Sequence, residues 1–576
     1  MKTASSFLML LITAMALSIV PSTSFAQAPD TVVVAAFPPG HLNDFIQSDT
    51  LANGQRVNPK RVYVLQQTGA VDTIYFISST LRMNSLTLVG KINPTTGFPP
   101  IIAPNINADN SSPSPLIRAL GHGTISLNNL YFMGTRVDGS SVTGSCIYTG
   151  GDSSWIKADH CVFENFSAGG TPNIWDTWGA VHINMKVTNC EFRNNQCDVA
   201  QNPGMNWAGP GPYAVDTAIY RNNTFFIIGG TIVGSDQTPL YVEFDHNTVF
   251  MMTKAALFTL QQLYNAKITN NICYGVFQAG LDSVTSYDIT KQNANFYSPP
   301  AVVELDTLGT MKGSPWFFTE AGRTITVQNN AYFWPSYFHD HWAEVNAVST
   351  QGRIIEPTFV QARIPAMLTD RTKWPGINMT NNQNTDPGFG AALVTATTNS
   401  MFAFIKTIWS VGSGNGTRPY VYQSDPNHMY AGVPSNWRSA KGYGYPVIEN
   451  LRYSNATLQT AGTDGKALGD LNWFPEQITG VRQIQNTIPS SFDVSQNYPN
   501  PFNPSTSIQV NLAHSGVMSL TISNVLGQLV KVVDEGYKAA GTYEYNVSMD
   551  QFASGVYFYS LQQGPNVITK KMLLLK

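Results

Sequence analysis

Charged residues are scarce in this chain of 576 residues. They make up 12% of it, against about a quarter of a typical soluble protein, and the formal net charge is only −3. Binding to nucleic acid or to an anionic membrane through charge requires a concentration of lysine and arginine, which this composition does not provide. We therefore expect neither as a partner. The 46 glycines, 34 prolines and 11% aromatic residues indicate a neutral, turn-rich surface.

Cysteines are also few. The five residues, Cys146, Cys161, Cys190, Cys197 and Cys273, can form at most two disulfides and leave one thiol over. This number excludes a small scaffold held together by disulfides. A chain of this length can bury a large core without covalent links.

A long apolar run occurs only at the amino terminus. Lys2 precedes an apolar run from Phe7 to Val20, and small residues follow up to Ala26. About fourteen residues are too few to cross a bilayer, which takes about twenty. The pattern predicts a signal peptide over residues 1–26 and passage through the periplasm. We expect no transmembrane segment.

Recognisable catalytic motifs are missing as well. The sequence has no Ser-His-Asp order, phosphate-binding glycine loop or haem motif. Gly121-His122-Gly123 matches one short element of a polygalacturonase without the aspartate motifs that accompany it. His339 and His341 supply only two of the ligands that a transition metal needs. We predict no metal site and no cofactor.

What the sequence does contain is an internal repeat. Seven phrases share an asparagine or histidine after alternating residues, usually with an aromatic residue following: SLNNLYF (126–132), ADHCVF (158–163), VTNCEF (187–192), YRNNTF (220–225), FDHNTV (244–249), ITNNIC (268–273) and VQNNAY (327–332). Most are 24 to 33 residues apart, a spacing that predicts stacked coils.

The asparagines of the repeat predict the corner of each coil. Asparagine adopts the left-handed backbone conformation more readily than other non-glycine residues. We therefore predict one left-handed corner per coil and a structural asparagine ladder. Its members are Asn128, Asn189, Asn222, Asn270 and Asn329, with His160 and His246 in the same column.

The residues before each corner alternate as they do in strands. The column two positions before it is apolar except for Ser126, and the column one position before it is polar except for Leu127. This period of two places the first column in the core. The sequence predicts an all-β, right-handed parallel β-helix over residues 30–400, and its coils resemble those of pectin-lyase-like proteins. Residues 401–489 lack periodicity and are expected to form an irregular extension and linker.

The carboxyl-terminal stretch has a different character. Pro499, Pro501 and Pro504 mark a linker, and short alternating runs separated by glycines predict a small β-sandwich. The phrases YPNPFNPST, ISNVLGQLV, AAGTYEYNV, SGVYFYSL and TKKMLLLK closely resemble, in this order, the type A C-terminal sorting domain of the type IX secretion system. The resemblance covers residues 490–576. It implies an Ig-like fold, the secretion machinery as a partner, and export to the cell surface or the medium.

Four charged residues on neighbouring coils are the candidates for catalysis: Arg221, Glu243, Asp245 and Lys267. A polysaccharide lyase needs acidic residues that bind calcium, a base, and a cation facing the uronate carboxylate. The repeat places Arg221 beside Asp245 and Glu243 beside Lys267, so the four residues also fit two ordinary cross-strand pairs. We expect structural pairs, and calcium only if the protein is a lyase.

Aromatic residues in the insertions between coils give the binding prediction. Trp175, Asp176 and Trp178 lie in one insertion, and Trp207 and Tyr213 lie in the next. Indole rings beside carboxylates suit sugar rings, although each ring could equally pack onto its own coil. We predict a secreted, glycan-binding or structural and adhesive protein without identified catalysis. The alternative is a divergent polysaccharide lyase or glycoside hydrolase acting on an extracellular polysaccharide.

Overall fold

A computed structural model defines the fold of the chain. It describes residues 30–576 except 36–40, 68–72, 94–97, 137–144, 167–172, 178–179, 196–197, 203–214, 229–231, 236–238, 253–262, 277–280, 283–300, 306, 309–317, 349–353, 362, 392, 395–449, 475–476, 478–481, 486–488, 490, 514–515, 539–540 and 564. The predicted signal peptide, residues 1–26, lies outside the described residues.

Three parallel sheets form the body of the protein. One coil shows the path: strand Trp155–Asp159 lies in an eleven-stranded sheet, Val162–Glu164 in a ten-stranded sheet and Asn173–Asp176 in a six-stranded sheet. Strand Ile183–Thr188 then pairs in parallel with Trp155–Asp159 and begins the next coil. The predicted all-β parallel β-helix is therefore confirmed.

The strands of each sheet follow one another in chain order. The eleven-stranded sheet contains Thr31–Val34, Val62–Leu65, Leu86–Gly90, Thr124–Asn128, Trp155–Asp159, Ile183–Thr188, Val215–Arg221, Tyr241–Asp245, Asn265–Thr269, Thr324–Gln328 and Ile377–Thr380. The ten-stranded sheet contains Ile74–Ile77, Ile101–Pro104, Tyr131–Met133, Val162–Glu164, Glu191–Asn195, Thr224–Ile228, Thr248–Met252, Ile272–Val276, Ala331–Phe333 and Gln383–Asn384. The six-stranded sheet contains Leu81–Met83, Ile117–Ala119, Ile147–Thr149, Asn173–Asp176, Asp198–Asn202 and Val233–Ser235.

Shorter elements decorate the solenoid. The helices are His41–Ser48, Ser336–Val348 and Ile364–Thr369, with single 3₁₀ turns at Glu320–Gly322, Leu458–Thr460 and Leu471–Trp473. Strand Leu281–Asp282 pairs with Ile354–Ile355, and Ala301–Val303 pairs with Thr358–Val360. His339 and His341 lie in a helix.

The core of the solenoid is a set of stacked side chains. The apolar column predicted from the repeat is buried, and in the first coil its member is Leu127 instead of Ser126, because Leu127 is in register with Ala158. Aromatic rings at Phe163, Phe192 and Phe225 stack across successive coils with centroids 5.0 and 5.1 Å apart. Burial of these rings supplies much of the apolar area that stabilises the coils.

The corners of the coils differ in detail from the prediction. The left-handed residues are Asn129, His160, Asn189, Asn222, His246, Asn270, Asn329 and Asn381, with φ between 50° and 60°. Asn128 is not a corner residue, because it is the last residue of its strand and is in register with Asp159. The corner of that coil is Asn129, one residue later.

The hydrogen-bonded ladder lies one residue beyond the corners. Asn223, Asn247, Asn271, Asn330 and Asn382 form it, and each of the first four donates from Nδ2 to the Oδ1 of the next over 2.8 to 3.2 Å. Their amides also bond backbone groups inside the turn, as Asn247 Nδ2 does with the carbonyl oxygen of Tyr220. Asn189, Asn222, Asn270 and Asn329 supply left-handed corners instead, so the predicted ladder is corrected by one position.

The carboxyl-terminal residues form two four-stranded antiparallel sheets. One contains Arg482–Gln485, Asp493–Val494, Ser505–Leu512 and Gly541–Ser548, and the other contains Gly516–Asn524, Leu529–Lys538, Gly555–Gln563 and Asn566–Leu574. They enclose a separate core that includes Ile508, Leu520, Tyr545 and Tyr559. The predicted small sandwich is confirmed. None of the helices in the described part of the chain is long and apolar enough to cross a membrane.

Candidate functional site

Residues 450–474, here called the strap, run back along the corners of the solenoid. Asn329 donates to the carbonyl oxygen of Ala461, and Asn270 exchanges hydrogen bonds of 2.8 and 2.9 Å with Thr463. Further along the strap, Asn472 donates to the carbonyl oxygen of Asn222. As the strap advances it contacts progressively earlier coils, so it fastens the carboxyl-terminal half of the solenoid together.

The strap also covers the outer face of the ten-stranded sheet. Phe250 and Tyr274 stack there with centroids 5.0 Å apart, and Phe389 meets both rings edge-on. Tyr453 of the strap packs edge-on against Phe389 and against Phe474. Because these rings are buried, this part of the outer face is closed to large ligands.

A glycine allows the close approach of the strap. Gly469 has φ of +79°, and a Cβ on it would lie 2.5 Å from Thr248 Oγ1. Its backbone nitrogen donates to the carbonyl oxygen of Asn270. A larger residue would be strained in conformation and would also collide with the coil.

A buried histidine links the strap to the coils by charge. His246 Nδ1 lies 3.2 Å from Asp245 Oδ2, and its Nε2 lies 3.5 Å from Asp464 Oδ1 in the strap. Burial acts to lower the pKa of His246, but the hydrogen bond to Asp245 and the charges of both carboxylates outweigh it and the pKa is raised. The imidazole therefore lies between two carboxylates, one on each element, that favour its protonated form.

A buried carboxyl, that of Asp470, lies further along the strap. Asp470 caps the 3₁₀ turn by accepting from the backbone nitrogen of Asn472 at 2.9 Å, and it accepts from Thr224 Oγ1 at 2.7 Å. Burial raises the pKa of Asp470 to about 7. Thr224 in turn accepts from the indole of Trp473. These contacts join the last turn of the strap to the ten-stranded sheet.

The four catalytic candidates form a network on the eleven-stranded sheet. The predicted registers of Arg221 with Asp245 and of Glu243 with Lys267 are present. The closest ion pair, however, joins Arg221 Nε to Glu243 Oε1 at 2.7 Å, two residues before Asp245 on the same strand, and Lys267 Nζ lies 3.9 Å from the same oxygen. The predicted pairing of Arg221 with Asp245 is corrected accordingly.

The two carboxylates of this network are held ionised. Burial raises the pKa of Glu243, but the hydrogen bond from Arg221 outweighs it, so that the pKa falls below its usual range. Asp245 behaves likewise through His246, and it also accepts from Asn270 at 2.9 Å. The positive and negative groups of this network therefore neutralise one another in charge.

The residues predicted to bind sugar divide into three groups. Trp175 is fully buried and packs edge-on against the core rings of Phe163 and Phe192, so its predicted binding role is wrong. Asp176, the next residue of the same strand, is half-buried on the outer face. Trp178, Trp207 and Tyr213 lie outside the described residues.

The outer face of the six-stranded sheet carries a polar row that is here called the open stripe. Arg82, Arg118, Tyr148 and Asp176 occupy it in register on four successive strands. The Arg118 guanidinium carbon lies 5.0 Å from the centroid of the Tyr148 ring. Within the described residues neither arginine has a carboxylate partner, and Arg118 Nε is buried without a hydrogen bond.

The sandwich is the part of the chain that comparison with known proteins identifies. A family model described as a secretion system C-terminal sorting domain matches residues 496–575. The carboxyl-terminal sandwich is a sorting domain. It makes the chain a substrate of the type IX secretion system, bound for the cell surface or the extracellular space. No curated protein and no solved structure matches the chain.

The sorting domain begins before the residues that the family model matches. Strand Arg482–Gln485 pairs antiparallel with Gly541–Ser548 and is thus part of its first sheet, eight residues ahead of the limit of 490 predicted from sequence. Just beyond the strap, Gln477 donates to the carbonyl oxygen of Gln459. The strap and the sorting domain are therefore separated by only a few residues.

Sequence reasoning missed the strap and the open stripe. The strap phrase GTDGKALGDLNWFP has no period, and its only local signal is an aspartate placed to cap a turn. Arg82, Arg118 and Tyr148 belong to a sheet whose strands precede no asparagine corner, so the repeat could not align them. Among the described residues no group of three or more His, Cys, Asp or Glu side chains could hold a metal ion.

Proposed function

We propose that the β-helix body of this exported protein binds an acidic glycan on the open stripe. The observation that carries the proposal is the pair of adjacent arginines, Arg82 and Arg118, with no carboxylate facing either of them among the described residues. Like charges opposite each other on neighbouring strands destabilise a sheet. A ligand carrying carboxylate or sulfate groups would offset that repulsion.

Arginine suits such a ligand better than lysine would. Its planar guanidinium can bind a carboxylate or sulfate with two parallel hydrogen bonds. Arg118 is half-buried beside the ring of Tyr148, so less of its side-chain freedom is lost when a ligand binds. The geometry favours an ordered contact over a diffuse charge effect.

The rest of the stripe suits the sugar part of the ligand. Tyr148 offers a flat ring and a hydroxyl, and Asp176 next to it can accept hydrogen bonds from sugar hydroxyls. Four strands at about 4.8 Å spacing give a row about 14 Å long, which matches a short oligosaccharide. Asp176 is thus a residue of the sequence-based prediction that belongs to this surface.

Binding without cleavage is the form of the proposal that the charges support. The four residues considered for lyase chemistry are Arg221, Glu243, Asp245 and Lys267, and they are on a different sheet, engaged with one another and with the strap-bound His246. The stripe instead provides cations, a ring and a hydrogen-bond acceptor.

The test is binding of the purified full chain to immobilised polysaccharides. We expect retention on a polyuronate or a sulfated polymer and not on a neutral glucan, and we expect retention to weaken as salt is raised. Arg118→Gln should weaken binding about five-fold, equivalent to roughly 1 kcal/mol for an exposed cation contact. Arg82→Gln should act in the same direction.

Lys157→Gln is the matched control, because it removes one positive charge from the exposed outer face of the eleven-stranded sheet. It should leave retention unchanged. Equal losses in Lys157→Gln and Arg118→Gln would assign retention to net charge and would contradict the proposal. Release of unsaturated or reducing products from any polymer would favour the enzyme alternative.

A further inference from the structure

Exposed apolar side chains concentrate in the sorting domain. Eleven large hydrophobic residues of the described chain are exposed, and six of them are in this small domain: Tyr498, Val525, Leu526, Leu529, Val567 and Leu575. Three of the six occur within one hairpin turn of five residues, 525–529, here called the apolar turn. Leu526 is 79% exposed and Leu529 is 62% exposed.

The apolar turn is held in a fixed conformation. Asn524 Oδ1 accepts from the backbone nitrogens of Leu526 and Gln528, each at 3.0 Å, and Asn524 Nδ2 donates to Gln528 Oε1 at 2.8 Å. Gly527 supplies the left-handed residue, with φ of +78°. The leucines are therefore presented by an ordered turn and are not exposed through fraying.

The core of the sandwich does not need these side chains. Core positions on the adjoining strand are filled by Leu520 and Ile522, both fully buried, and Val530 packs against that core just after the turn. All five residues of the apolar turn are exposed and uncharged. Exposed apolar groups of this size usually mark a protein interface.

We propose that the apolar turn is the anchor by which the sorting domain docks into an apolar pocket on a protein component of the export machinery. The family match gives this domain the task of being recognised by that machinery. Preformed apolar anchors at the centre of an interface contribute most of its binding energy. This inference does not depend on the proposed glycan binding.

The experiment expresses the full chain in its native host and measures its distribution between periplasm, cell surface and medium by immunoblot. The double variant Leu526→Ser with Leu529→Ser should reduce the exported fraction at least ten-fold and accumulate in the periplasm. Val567→Ser is the matched control, because Val567 is 56% exposed on another hairpin of the same domain. It should be exported like the parent chain.

Folding is checked on the same samples. The periplasmic double variant should resist limited proteolysis as the parent does. The single variant Leu526→Met keeps an apolar side chain and should be exported like the parent chain. Normal export of the double variant overturns the proposal, as does an equal export defect in Val567→Ser. A double variant that is exported normally but loses binding of the purified chain to phospholipid vesicles would assign the turn to a membrane surface.

Discussion

Two outer faces of the same solenoid differ in whether the strap packs against them. The face of the ten-stranded sheet is lined by stacked rings such as Phe250 and Tyr274 and lies under Phe389 and the strap. The face of the six-stranded sheet carries Arg82 and Arg118 on the open stripe, with no carboxylate opposite them in the described residues. One face is closed by the chain itself, and on the other Arg82 is exposed to solvent.

The covered face contributes to the stability of the fold, whereas the open stripe has features of a binding surface. On the covered face, charges and polar atoms are matched between strap and coil, as His246 is by Asp464. On the open stripe, repulsion between like charges is tolerated, although an acidic residue at either position would relieve it. Residues that lower the stability of the fold are typical of binding surfaces, where they are kept for contact with the ligand. This contrast makes the strap a structural element and the stripe a candidate ligand surface.

The largest expected effect on stability comes from removing an aromatic ring from the covered face. Phe250→Ala should lower the free energy of unfolding by about 3–5 kcal/mol, because Phe250 is fully buried between stacked rings. Tyr148→Ala on the open stripe should cost about 1 kcal/mol or less. Urea unfolding of both variants measures the difference. Similar losses in the two variants would mean that the two faces contribute alike to stability.

A smaller effect should follow from blocking the contact of the strap. Gly469→Ala combines a left-handed backbone with a Cβ only 2.5 Å from Thr248 Oγ1, and should cost roughly 2–3 kcal/mol. Gly465→Ala in the same strap has φ of +78° but meets no atom within 4 Å, so it should cost about 1 kcal/mol. Thermal unfolding compares the pair. Equal costs would show that the strap does not press on the coil at Gly469.

The smallest effect concerns pH and the bridge at His246. Because folding raises the pKa of His246, its contribution is complete below about pH 6.5 and is lost as pH rises through the folded pKa. The neighbouring carboxylates Asp245 and Asp464 have lowered pKa values, so their contributions fade only in acid. Lys466, Lys267 and Arg221 are further charges facing this bridge. The expected loss above pH 6.5 is on the order of 1 kcal/mol.

His246→Asn is the variant that isolates the bridge, since asparagine already occupies the same left-handed corner at Asn222 and Asn270. It should flatten the stability curve above pH 7. Asp470 should cause a separate decline in the free energy of unfolding as pH rises from about 4 to 7, because its raised pKa of about 7 favours the protonated form in the fold. This decline should persist in His246→Asn. An unchanged slope above pH 7 would place the titrating group elsewhere.

The repeat could be predicted from sequence because its residues follow local conformational preferences. Ala158, Val187 and Phe244 show the period of two, and Asn189 and Asn270 tolerate the left-handed conformation on their own, so the coils and most corners followed from sequence. The predicted ladder was one residue off, because the sequence does not show which of two adjacent asparagines, such as Asn222 and Asn223, forms it. Only the stacking of coils shows which of them faces the next.

The candidate sites were harder to predict, because they depend on distance in space. Trp175 and Asp176 are neighbours in sequence but are on opposite sides of a strand, so one is core and the other is surface. Arg221 found Glu243 instead of Asp245 because a long side chain can reach diagonally across the register. Composition and spacing carry no information about either choice.

By itself the sequence determined the coil repeat, the sandwich and the export route, since each is written in short segments whose residues act locally or are recognised as a motif. Tertiary structure alone decided that residues 450–474 fold back over corners more than a hundred residues away and that Arg82, Arg118 and Tyr148 form one row. The physical reason is that these contacts join segments distant in sequence. Their energies depend on packing and register, which exist only after the coils have stacked.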